Sequence, residues 1–275
     1  MLALGAREVW RATRTPDGPV TTRIRVTPPA GTLTLRAWGP GADWAAETFP
    51  MLVGADDRLE EFIPRDTIVR DLHRRLPGLR VCRTGTVVEA LVPSVLEQKV
   101  IGIEAKRSYA RLVQALGEPA PGPGRAAGLR VPPAPERLAR TPNHVFHRCG
   151  IERRRADTIR MACSYAHRLE ETTSLPLADA YARLTALPGI GVWTAAEVAR
   201  VALGDADAVS LSDYHLPHQV AFALAGEARG DDARMLELLA PYRGHRARVI
   251  RLIELAGPRP PRYGAHLPFH PIDAL

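Results

Sequence analysis

The stretch with the most chemical character is Leu184-Thr185-Ala186-Leu187-Pro188-Gly189-Ile190-Gly191-Val192-Trp193-Thr194-Ala195-Ala196. Helical spacing up to Leu187 meets a proline and two glycines, and a second run of small, helix-compatible residues starts at once. Glycines at 189 and 191 permit positive φ and leave N–H groups uncovered at a helix start. Such a site binds anions and suits a single phosphate. Contacts to backbone amides hold a nucleic acid without reading its sequence. A corner that only packs two helices would use the same turn, so the glycines by themselves leave both readings open. Further on, Asp213 opens the next predicted helix in Ser210-Leu211-Ser212-Asp213-Tyr214-His215-Leu216, a place that an N-cap aspartate fills well. His215 has the chemistry of a proton relay and equally that of a packed or solvated histidine.

These groups must be positioned by helices. Val87, Leu91, Val95 and Leu96, then Val100, Ile103, Leu112, Val113 and Leu116, mark a helical region from Thr84 onward. Further helices are expected near 153–171, 176–187, 193–203, 213–225, 231–239 and 243–256. The Pro/Gly-rich stretch from Pro119 to Pro135 interrupts them and reads as a surface loop. The first 50 or so residues read differently, as strands. Val20–Val26 and Thr32–Trp38 are β-branched or alternating, and Pro28-Pro29-Ala30-Gly31 would turn between them. The segment Gly257-Pro258-Arg259-Pro260-Pro261-Arg262 cannot be helical and reads as an extended tail. No internal repeat is evident.

Composition narrows the class. With 275 residues, 45% of them hydrophobic and 24% charged, the chain has the make-up of a folded globular protein rather than a disordered or fibrous one. No apolar run approaches the length of a membrane span, and the first residues lack the pattern of a secretory signal, so a cytoplasmic protein without membrane contact is expected. Three cysteines, Cys82, Cys149 and Cys163, are too few for a disulfide framework or a four-cysteine iron–sulfur cluster. The formal net charge is +7, and of the 37 basic side chains only Lys99 and Lys106 are lysines. Arginine suits phosphate and base contacts. A GC-rich genome would produce the same arginine surplus, so charge alone leaves a nucleic-acid partner open.

In its context the hairpin string resembles the helix-hairpin-helix of the DNA glycosylase superfamily that also contains endonuclease III. Leu203–Leu216 is similar to the segment that carries that superfamily's catalytic aspartate and places Asp213 at its position. Glu89–Val100 is similar to the helix that ends in a glutamine pair, and Gly150–Arg160 resembles a G-x-x-x-x-K/R-A-x-x-I helix start. Pro241-Tyr242-Arg243-Gly244-His245-Arg246 stands where relatives have P-W-R-S-Y-A. The resemblance covers about residues 75–257 and is nearest to the 3-methyladenine DNA glycosylase II type. It implies a mainly α fold, the helix-hairpin-helix glycosylase fold, with a small N-terminal antiparallel β-containing (α+β) domain. The expected division is 1–80 for the β-rich part and 81–275 for the helical body and tail.

The resemblance also implies a chemistry. Breaking an N-glycosidic bond builds positive charge on the sugar, and a carboxylate beside it, here Asp213, stabilises that charge and orients water. The partner would be double-stranded DNA containing a damaged base, and the protein a monomer. The base, an alkylated purine such as 3-methyladenine, must leave the stack. Lys99, after Gln98, stands at the wedge position, although lysine is a poor wedge. Gln98 would reach the groove or cap its helix. Backbone amides near Gly189, Gly191 and Trp193 would hold a phosphate. Ile190 and Thr194 are counted with them as DNA-binding residues, and Arg243 is a further phosphate contact or a salt-bridge partner. Carbonyls of Thr185, Leu187 and Ile190 stand where relatives bind a monovalent Na+ or K+ ion. No other cofactor and no iron–sulfur cluster is expected. Trp193 replaces the lysine of lyase-competent relatives, which implies a monofunctional enzyme.

The substrate pocket departs from the pattern. Of three positions that carry stacking aromatics in alkylpurine-specific relatives, Trp193 is retained, and Glu197 and Arg251 replace the other two. Glu197 would attract a cationic base, or else pair with Arg200 or Arg251. Ser212 replaces the first aspartate of the usual pair. Tyr214, His215 and Tyr242 are further candidates to line the pocket. A non-catalytic DNA-binding protein that keeps the hairpin, or a glycosylase of different base preference, would carry many of the same motifs.

Overall fold

The computed structural model describes residues 2–4, 7–27 and 31–261. It opens with an antiparallel sheet of four strands in sequential order: β1 (Leu2–Leu4), β2 (Glu8–Thr15), β3 (Gly18–Thr27) and β4 (Thr32–Trp38). The expected strand pair is present, with Ile24 opposite Leu35 and Thr22 opposite Ala37. The turn expected at Pro28-Pro29-Ala30-Gly31 falls mostly outside the described residues. Strand structure ends sooner than the sequence suggests, because α1 (Ala42–Leu52) follows at once. Its Ala-rich start favours helix, and Ala45 is buried.

After α2 (Thr67–Arg75) comes α3 (Val87–Leu96), the most enclosed of the described helices. All its residues except Glu89 and Pro93 are buried, in keeping with a helix that is apolar on every side. The helical run breaks at residues 97–101 before α4 (Gly102–Leu116) resumes it. The stretch 119–135 is not the free surface loop that its prolines suggest. It holds a two-residue strand pair, β5 (Glu118–Pro119) with β6 (Arg130–Val131), and one helical turn, α5 (Pro123–Ala126). Ala120, Leu129 and Val131 are buried with Ala12 of β2. Apolar burial against the sheet orders a segment whose composition says only that it is not a long helix.

The body continues with α6 (Pro135–Arg140), α7 (Asn143–Arg148), α8 (Arg153–Ser164), α9 (Ala166–Glu170) and α10 (Leu177–Thr185). Beyond the hairpin come α11 (Val192–Val198), α12 (Leu216–Ala225), α13 (Asp232–Leu239) and α14 (Arg246–Ala256). Two cores result. One surrounds α3 with α4, α8, α10 and α11. The other joins α12, α13 and α14 to Phe62, Val69 and Leu72, which lie around α2. Packing therefore does not divide the chain at residue 80, since residues 62–72 share a core with the C-terminal helices. The tail from Gly257 to Pro261 forms no helix or strand, as its prolines require, and Arg262 onward lies outside the described residues.

Candidate active site

The hairpin joins α10 to α11. Gly189 has φ of 88°, and a Cβ there would lie 2.4 Å from Thr158 Oγ1 of α8, so only glycine fits without displacement. Gly191, at the N-cap of α11, has an extended backbone and nothing within 4 Å of a built Cβ. Ile190 is buried between them and anchors the turn, and its N–H donates to Leu187 O at 3.0 Å. Gln98, just past the end of α3, ties the hairpin down. Its side-chain amide donates to Gly189 O and Thr194 Oγ1, each at 2.9 Å. Both side-chain N–H donors of Gln98 are thus spent inside the protein. Thr194 is likewise buried, with only 2% of its surface exposed, which leaves its side chain no direct reach to DNA. Lys99 is exposed and adopts φ of 55°, sparsely populated by residues other than glycine. Arg155, itself buried, donates to the carbonyls of Leu96 and Gln98 at 3.4 and 3.2 Å and holds this bend from beneath.

The expected helix near 193–203 ends early in α-geometry. Residues Ala199–Leu203 form a π-helical turn closed by Gly204 in the left-handed region. A π turn loosens the carbonyls from their usual donors, and here Val201 O and Ala202 O accept from Thr84 and Gly85 N–H. The chain then runs to Asp213, which lies just ahead of α12. Its Oδ1 accepts the backbone N–H of His215 and of Leu216, each at 2.8 Å. Its Oδ2 accepts Trp193 Nε1 at 2.9 Å. The cap and the candidate catalytic carboxylate are therefore one group, and the indole of α11 fixes its second oxygen. Ser212, with φ of 64°, gives its N–H to Asp232 at 2.8 Å.

Asp213 borders two hollows. One is a cavity of about 220 Å³ lined by Glu197, Arg200, Ser210, His215, Ile250 and Glu254 among others. The other is a wider, open depression of about 570 Å³ with Tyr214, His218, Asp231 and Asp232 on its walls. Glu197 Oε2 accepts Arg200 at 2.6 Å and Oε1 accepts Ser210 Oγ at 2.5 Å. Burial lowers the Arg200 pKa, but the charge and hydrogen bond of Glu197 outweigh this together with Glu254 and Glu97, and the net shift is upward. Burial pushes the Glu97 carboxyl above the usual range, and the charges of Glu197 and Asp213 add to it against Lys106 and Arg200.

Of the residues expected around the pocket, Trp193, Glu197, Asp213 and His215 are brought together. Tyr214 lies on the other side, 81% exposed, with its ring edge-on to His215. Tyr242 is not at the pocket. It is buried, accepts the N–H of Arg65 and Asp66, and donates to the Asp66 carboxylate. Arg251 also misses the lining and pairs on the surface with Glu254 at 3.0 Å. Arg243 is exposed near the start of α14, with no ion pair among the described residues. Ser210, Glu254 and Glu97 were not expected. Ser210 and Glu254 lie in or near the motif segments, but nothing in their spacing marks them.

These features together define the helix-hairpin-helix DNA glycosylase fold. A 3-methyladenine DNA glycosylase from Archaeoglobus fulgidus superimposes with a TM-score of 0.76 at 23% identity, over 92% of this chain and 87% of that one. An 8-oxoguanine glycosylase/lyase from Clostridium acetobutylicum, solved with double-stranded DNA, gives 0.67 at 11% identity over 92% and 96%. In sequence, 163 residues are 32% identical to a Mycobacterium tuberculosis protein named "Probable bifunctional transcriptional activator/DNA repair enzyme AlkA", over 58% of this chain and 32% of that protein. The chain thus spans about a third of the length of the curated relatives it matches. No protein-family model matches it. No described helix is long and apolar enough to cross a membrane.

Proposed function

We propose that the protein is a monofunctional DNA glycosylase of base-excision repair that hydrolyses the N-glycosidic bond of alkylated purines in double-stranded DNA. The observation that carries this reading is Asp213, a carboxylate that lines a cavity and is fixed by three N–H donors, one of them from Trp193 just past the hairpin. Hairpin amides around Gly189 and Gly191 hold a phosphate of the duplex, Arg243 and Lys99 supply positive charge, and the damaged base turns out of the stack into the cavity. As the bond to the base breaks, Asp213 faces the sugar, stabilises its developing positive charge and orients the attacking water. Its two oxygens keep their position throughout because Trp193 and the first turn of α12 hold them. Carbonyls of Thr185, Leu187 and Ile190 would hold a monovalent cation at the hairpin. Leu187 O keeps a second lone pair for it, and neutral hard oxygens suit such an ion. The cation would supply charge against the phosphate and no chemistry at the sugar.

A monofunctional course is supported by Trp193, whose indole offers no amine to attack the sugar. The 8-oxoguanine glycosylase/lyase among the fold neighbours favours a second reading, a glycosylase for oxidised bases. Purified protein incubated with duplexes bearing single 3-methyladenine, 7-methylguanine, hypoxanthine, uracil or 8-oxoguanine lesions, then treated with alkali, separates the two. The expected result is release of the methylated purines and strand breakage only after alkali. Asp213→Asn should lower release by at least about a hundredfold while DNA binding survives. Full activity in that variant, or nicking without alkali, would contradict the mechanism.

A further inference from the structure

Two described residues other than glycine have positive φ, Lys99 and Ser212. Ser212 directly precedes Asp213, and its φ of 64° is a conformation that a serine keeps only where its surroundings impose it. Peptide planes are rigid, so the φ and ψ of one residue decide the direction in which the next side chain leaves the backbone. The conformation of Ser212 therefore aims Asp213.

The group that imposes it stands on another helix. Ser212 N–H donates to Asp232 Oδ2 at 2.8 Å, from a residue 20 positions further along the chain. Asp232 is half-buried and opens α13, where the helix dipole favours an acidic side chain. That helix is itself well anchored. Asp231 caps it by accepting Arg234 N–H at 2.8 Å, and Met235 and Leu239 are buried in the core that also takes Leu216 and Val220 of α12. Three helices thus converge on one carboxylate. Trp193 of α11 and the start of α12 hold its oxygens directly, and α13 holds the backbone that presents it.

We infer that Asp232 is a positioning residue for the reaction at Asp213, holding Ser212 in the left-handed conformation and so directing the carboxylate. The inference rests on the reading that Asp213 faces the sugar. Asp232 needs no contact with base or sugar and acts through the backbone alone. A residue that merely tied α12 to α13 would make the same hydrogen bond, but its loss could not be relieved by a change at position 212.

Single-turnover release of 7-methylguanine and duplex affinity are measured for the unaltered protein, Asp232→Ala, Asp232→Asn, and Asp232→Ala combined with Ser212→Gly. Loss of a hydrogen bond to a charged acceptor corresponds to roughly ten- to a hundredfold in rate. Asp232→Ala should therefore slow release by at least about tenfold, with duplex affinity nearly unchanged. Asparagine keeps an accepting oxygen and should restore most of the rate. Glycine adopts a φ of 64° without steric cost, so Ser212→Gly in the alanine variant should recover at least about threefold. Full activity in Asp232→Ala, or a loss that glycine at 212 does not relieve, overturns the proposal. A second readout needs no chemical step: the indole N–H resonance of Trp193, identified by its absence in Trp193→Phe, reports the bond to Asp213. It should move in Asp232→Ala, and an unmoved resonance overturns the proposal. If the unaltered protein releases no base, the glycosylase reading fails, and the indole resonance alone decides whether Asp232 governs the placement of Asp213.

Discussion

The indole of Trp193 gives Asp213 a hydrogen bond that no other residue type at that position would place in the same way. Phenylalanine keeps most of the apolar surface and removes only the donor. A hydrogen bond to a charged group contributes about 1.5–3 kcal/mol, so Trp193→Phe should slow base release by roughly ten- to a hundredfold. Duplex affinity should change far less, and single-turnover rates measured beside a binding titration check both. Trp193, Asp213 and His215 were legible because they sit in strings that resemble the superfamily's motifs, and Glu197 because the resemblance aligns it one residue past the hairpin string. Tyr242 sits in such a string too, and Arg251 was aligned through the resemblance, but an aligned position does not say which face of an element turns inward. Ile250 and Glu254, four residues apart on α14, share the face that meets the cavity, and Arg251 is rotated about 100° away from it. Tyr242 turns instead into the core, where its hydroxyl satisfies Arg65 and Asp66. Ser210 escaped notice because a lone serine between apolar residues carries no periodic signal.

The two hairpin glycines look alike in the sequence and do different work. At Gly189 a side chain meets Thr158 on a backbone with φ of 88°, so Gly189→Ala should cost about 1–3 kcal/mol of stability. At Gly191 the backbone is extended and the space beside it is open. Gly191→Ala should therefore leave thermal unfolding nearly unchanged and still weaken DNA binding, because a methyl group would stand where a phosphate approaches the amides. Calorimetry together with duplex binding at one fixed salt concentration distinguishes the pair. Equal effects of the two substitutions on folding would count against this division of roles. Most helices were legible from apolar spacing, since a buried stripe such as that of α8 is local information. The π turn after α11 was not, because it depends on the donors that Thr84 and Gly85 bring from more than a hundred residues away. The same holds for residues 119–135, whose order comes from burial against β2 and not from their own propensities.

Residues 59–79 belong in sequence to the N-terminal part and in packing to the C-terminal helices. Hydrophobic pattern names the faces that must be buried but not the partner that buries them, which is why the boundary expected at residue 80 does not appear in the packing. The joint is made by Asp57 and Arg248, whose side chains are 2% and 1% exposed. Arg248 Nη1 donates to Asp57 Oδ2 at 2.9 Å, Val81 N–H donates to the same oxygen at 3.1 Å, and the guanidinium lies over the ring of Phe62. His245, next to this pair, is held below its ordinary value of 6.5, by burial first and then by the charge of Arg248. A depressed imidazole means that the unfolded chain binds the proton more readily, so stability should be full above that value and decline as pH falls below it. His245→Gln should flatten that decline in urea titrations across the range. The ion pair itself gives the larger effect. Asp57→Asn would leave a guanidinium buried without its counter-charge, at a cost of about 3–5 kcal/mol. Replacing both partners by apolar residues of similar volume, Asp57→Leu with Arg248→Met, removes the charge along with its penalty and should recover most of that loss. If the double variant is as unstable as Asp57→Asn alone, the pair does more than neutralise itself, and its hydrogen bonds to Val81 and Leu79 hold residues 59–79 to the helical body.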